Sequence, residues 1–137
     1  METPAKPVES NQQTIILERA LSVWRKAQVL HEGPSWKGHP EARAIAEEIA
    51  AAHPECEESL ASLLADKCQF VAGYALLTLE LMRSRIIEDL PDEILQRRSN
   101  VSVVYEGIRS ATDLGGLARQ IRKRARGNAS EQSITSD

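Results

Sequence analysis

Residues Phe70 to Met82 read FVAGYALLTLELM, thirteen positions with a single charge at Glu80. Apolar groups fall on nearly every side, alternation is absent, and Leu and Ala dominate over β-branched residues. The run is too long for a typical strand, so it reads as a helix buried around most of its circumference. Asp66 and Lys67 precede it and Arg83 and Arg85 follow, whereas a membrane span needs roughly 18 or more apolar residues. Protein must therefore cover it. Burial of Phe70, Val71, Tyr74, Leu77, Leu79, Leu81 and Met82 contributes about 1.5–3 kcal/mol each before ordering entropy is subtracted.

Upstream, residues 1–12 are rich in Pro, Glu and Ser without a period and read as a flexible lead, with the first helix starting between Ser10 and Thr14. Leu17, Ala20, Leu21, Trp24 and Ala27 follow helical spacing, widened by Ile16, Val23 and Leu30, and Gly33-Pro34 supplies a stop. Trp36, in the loop bounded by Gly33 and Gly38, is either a lid over the core or an anchor for a partner. His39-Pro40-Glu41 recurs as His53-Pro54-Glu55, and each copy opens a helical pattern with Pro in the first turn and an acid at the positive end of the dipole. The two buried stripes are Ala42, Ile45, Ala46, Ile49 and Cys56, Leu60, Leu63, Leu64.

The pairing of CEESLASLLAD with FVAGYALLTLELM resembles one helical hairpin of the HEAT or armadillo class, with Tyr74-Ala75-Leu76-Leu77 and Leu79 as its inner-helix core. The resemblance covers residues 55–83 and implies a short stack rather than a full solenoid, because at least three repeats are normally needed. Gly73 costs about 1 kcal/mol relative to Ala inside a helix, which close approach of a neighbouring helix would offset.

Downstream, Pro91-Asp92-Glu93 opens a short helix with Arg97-Arg98 near its far end. Val101 to Ile108 (VSVVYEGI) fits either a strand or a helix; with no second strand visible, a short helix is expected. The last helix is capped by Thr112, buries Leu114, Leu117, Ala118, Ile121 and Ala125, spreads Arg119, Arg122, Lys123 and Arg126 over its other faces, and ends at Gly127. Residues 128–137 read as a disordered tail.

At 137 residues the chain is long enough for one core without disulfide or metal staples. Two cysteines and no basic, apolar N-terminal block point to a reducing cytoplasm and give no sign of secretion or a membrane anchor. The net charge of -3 hides an asymmetry: residues 1–96 carry nine Lys/Arg and sixteen Asp/Glu, and residues 97–126 carry eight against two.

His39, His53, Cys56 and Cys68 have metal-ligating atoms but lack CxxC, HExxH or paired-His spacing, so no metal is expected. No residue pattern orients a base beside a nucleophile. Gly115-Gly116 lacks the phosphate-loop frame, and the paired acids Glu47-Glu48, Glu57-Glu58 and Glu88-Asp89 point about 100° apart on a helix. The expectation is a single all-α domain over residues 13–127, an irregular helical bundle or a short HEAT-like stack of five to six helices. Its function is expected to be that of a non-enzymatic interaction module, an adaptor or regulatory subunit without cofactor. The surfaces expected to meet a protein partner with an acidic face, or a second copy, are Trp36 and the basic set Arg97, Arg98, Arg109, Arg119, Arg122, Lys123 and Arg126. The alternative is a nucleic-acid-associated regulator using the basic last helix. Its aromatic content of 4% offers little for base stacking.

Overall fold

A computed structural model describes the backbone of residues 5–31, 41–105 and 108–135, and the side chains of 13–31, 41–105 and 108–127. Trp36, His39 and the Gly33-Pro34 stop lie outside the described residues. The order is α1 (Ala5–Lys26), β1 (Leu30–His31), α2 (Glu41–Ala52), a 3-10 turn (Pro54–Cys56), α3 (Glu57–Leu63), α4 (Gln69–Leu81), a second 3-10 turn (Arg85–Asp89), α5 (Asp92–Leu95), β2 (Asn100–Tyr105), β3 (Ile108–Asp113) and α6 (Leu114–Thr135). The fold is mostly helical but not all-α, since it contains a three-stranded sheet in the order β1-β2-β3. Helix also reaches into both terminal segments expected to be irregular: α1 begins at Ala5, and α6 runs past Gly127.

Helix α4 is the interior rod. Every residue from Val71 to Thr78, and Leu79 after it, is buried, and α1, α2, α3 and α6 all pack against it. Trp24 of α1 stacks on Tyr74 with ring centroids 5.8 Å apart. The polar tips of this pair are spent on backbone: Trp24 Nε1 donates to Ala42 O (3.0 Å), and the Tyr74 hydroxyl donates to Val29 O (2.8 Å) while accepting from the His31 amide (3.1 Å). One aromatic pair thus fastens α1, α2 and β1 to α4. Gly73 does serve close approach, but of a strand: a Cβ there would lie 2.6 Å from Leu30 Cδ1, so the absence of a side chain makes room for β1. Leu81, expected inside, is 38% exposed because the helix leaves the core in its last turn. Arg83, in the left-handed region at φ 57°, closes that end, with Ser84 N reaching Leu79 O and Arg83 N reaching Glu80 O, both 3.0 Å.

Residues 101–108 are the main correction. β2 pairs in parallel with β1 (Leu30↔Val103, His31↔Val104) and antiparallel with β3 (Asn100↔Asp113 through Tyr105↔Ile108). β-Branched Val101, Val103 and Val104 favour extended backbone once partners exist on both sides. Val101 and Val103 are buried, closing the core from the sheet side.

The start of α6 is fixed by Asp113 rather than Thr112. Asp113 Oδ1 accepts from the Gly116 amide at 2.6 Å, an N-cap contact. Gly115 lies so close to the α5–β2 connection that a Cβ would stand 2.5 Å from Leu95 O and 2.8 Å from Arg97 O. Its amide donates to Arg97 O at 2.7 Å.

Candidate functional site

The β2–β3 hairpin leaves the most conspicuous open surface. Leu114 N donates to Ser99 O at 2.8 Å, which sets the parity of the ladder. Counting back along the antiparallel pairs, Thr112, Ser110 and Ile108 turn their amides toward β2, and Asp113, Ala111 and Arg109 turn theirs to the other side. Among the described residues no strand follows β3 in the sheet, and Ile108 to Ala111 are exposed. At the hairpin end the paired Tyr105 and Ile108 are 51% and 72% exposed.

Under the inner face of the hairpin runs a groove of about 540 Å³, walled by Val103, Tyr105 and Ser110 on the sheet side and by Leu81, Leu117 and Arg124 on the helix side. Its charges are balanced within the fold. Arg124 grips Glu80 through two bonds (Nε 3.0 Å, Nη2 2.9 Å). Arg43, buried on α2, binds Glu47 Oε2 (3.0 Å) and His31 O (3.1 Å).

The basic residues singled out in the sequence divide into two groups. Arg119, Arg122, Lys123 and Arg126 do come together around one shallow recess on α6. Two of them act inside the fold: Arg119 Nη1 donates to Leu95 O (2.6 Å), and Arg126 Nε and Nη2 donate to Glu88 O (3.2 and 2.7 Å), tying α6 to α5 and to the second 3-10 turn. Arg97 likewise binds Lys67 O (2.7 Å) and Ser99 Oγ (3.3 Å). Arg109 stands apart on β3 and Arg98 follows α5. Sequence reasoning missed Tyr105, Ile108 and the β3 edge. The available signal was weak: a glycine, Gly107, directly after the β-branched run VSVVY.

Burial shifts three titratable groups of the interior. Burial pushes the Cys56 thiol up to about 11, aided by the Glu55 charge. Burial likewise pushes the Tyr74 phenol up to about 12. His31 is held below its ordinary value by burial first, then by the charges of Arg109 and Arg43. His53 Nδ1 lies 3.2 Å from Glu55 Oε2. Among the described residues no group of three His, Cys, Asp or Glu side chains is placed to hold a metal ion, and no helix is long and apolar enough to cross a membrane. No family model, curated protein or solved structure matches the chain.

Proposed function

We propose that this chain is a non-enzymatic protein-interaction module, an adaptor or regulatory subunit working in the cytoplasm, whose docking surface is the β3 edge with the hairpin end at Tyr105 and Ile108. The observation that carries this reading is the combination at one place of outward-facing backbone amides and two large exposed apolar side chains. An open edge strand is a template for another strand, and an aromatic beside an aliphatic residue is the kind of anchor that dominates interface energetics. Arg109, exposed on the same strand, offers a partner with acidic groups a charged contact. The HEAT-like pairing of α3 with α4 serves here as scaffold.

The test is capture from host extract with tagged chain, scored for every species, untagged copies of the chain included. Proteins retained by the wild type and lost with both Tyr105→Ser/Ile108→Ser and Ala111→Pro support the reading. If nothing is retained, or retention is indifferent to all three changes, the reading is overturned.

A further inference from the structure

The β3 edge carries its own complement. Running outward from the hairpin end, Arg109, Ala111 and Asp113 alternate on one face, and these same three residues present their amides to the open side. Arg109 is exposed, its charge acting on His31 across the sheet, and Asp113 uses Oδ1 for the Gly116 amide, leaving Oδ2 for a cation.

We infer that β3 pairs antiparallel with β3 of a second copy of this chain, about a two-fold axis at Ala111, joining the two sheets into one of six strands. This rests on the interaction-module reading and names its partner. Of the antiparallel registers open to this edge, the one centred on Ala111 alone sets each Arg109 directly opposite Asp113 of the other copy. It does so twice by symmetry, on a shared face where directly opposed side chains interact. A register centred on Arg109 would oppose two guanidinium groups. Centring on Ser110 or Thr112 would leave Arg109 without Asp113 across from it. In the chosen register the two Ala111 residues exchange amide hydrogen bonds, each Asp113 amide donates to the opposing Arg109 carbonyl, and Ser110 faces Thr112, hydroxyl to hydroxyl. Ile108 comes level with Leu114 of the second copy, at the start of its α6.

The edge also lacks the usual protections against such pairing. IRSATD contains no Pro, no Lys and no inward-pointing charge, and in this register its five residues Arg109 to Asp113 face strand in the other copy. A contact confined to one edge strand is smaller than a standard stable interface, so the dimer is reversible and sensitive to salt.

Sedimentation of the purified full chain over a concentration series decides the matter, with charge exchange as the specific probe. Arg109→Asp and Asp113→Arg each place like charges opposite one another and should weaken dimerisation by about tenfold or more. An equimolar mixture of the two should restore it, because both cross-copy pairs then match. Should Asp113→Arg fail to fold for loss of its cap, amide exchange on the wild type supplies the answer. The Arg109, Ala111 and Asp113 amides should gain protection as concentration rises, and Ala111→Pro should abolish dimerisation. A wild type that stays monomeric at several hundred times micromolar concentration, or a dimer indifferent to Arg109→Asp and Ala111→Pro, overturns the inference. Retention of a foreign protein through the same edge would then leave the interaction-module reading standing without it.

Discussion

Two glycines of α6 have opposite roles, set by their surroundings. At Gly115 an added methyl would meet backbone carbonyls of Leu95 and Arg97, which cannot rotate aside. Gly115→Ala should therefore lower unfolding free energy by about 1–3 kcal/mol in urea denaturation. At Gly127 nothing among the described residues stands within 4 Å of the same methyl. Gly127→Ala should raise stability by about 0.5–1 kcal/mol, since glycine's extra freedom in the unfolded chain is the only difference. A third residue stores strain. Arg83 holds φ 57° to terminate α4, a conformation costing a side-chain-bearing residue about 1 kcal/mol, so Arg83→Gly should be stabilising by roughly that amount. A melting temperature unchanged by Arg83→Gly would show that the guanidinium compensates.

Helix placement was legible from the sequence where one element supplied its own evidence. The α4 run from Val71 to Leu79, the Ala42-Ile45-Ala46-Ile49 stripe and the Leu114-Leu117-Ala118-Ile121 face are buried as expected, with Phe70, Met82 and Ala125 partly covered. The sheet was not legible, because each strand depends on residues far away or poorly patterned. β1 is two residues long at the end of what reads as helix, and IRSATD has too little apolar content to announce a strand. The basic patch was half legible. Charge counts reveal that Arg119 and Arg126 exist, but not that backbone carbonyls of the second 3-10 turn and α5 consume them. Those two arginines hold α6 in place, so Arg119→Ala and Arg126→Ala should each reduce stability by about 1 kcal/mol, while exposed Lys123→Ala leaves it within about 0.5 kcal/mol. Equal effects from all three would contradict the division drawn between fastening and surface charge.

Taken as a single cooperative unit, the molecule should be vulnerable to base. Tyr74 holds its proton up to about pH 12 in the fold against an ordinary value of 10.0, and Cys56 up to about 11 against 9.0. As pH rises past these ordinary values the unfolded chain ionises first and the folded one cannot follow. Stability present below about pH 9 is therefore lost progressively toward pH 12, at up to about 1.4 kcal/mol per pH unit per group. Urea midpoints at pH 8, 10 and 12 should fall steeply, and Tyr74→Phe, though less stable at neutral pH, should show a shallower decline. The pairing of Leu30 with Val103 has a different consequence, in time rather than in energy. Those strands are separated by more than half the chain, so the local β2–β3 ribbon can form early while β1 has no seat until β2, α2 and α4 are in place. In pulse-labelled refolding the Ser110 amide should become protected early and the His31 amide, held by the Tyr74 hydroxyl, last. The two-residue strand then behaves as a clasp that snaps shut only on a finished molecule.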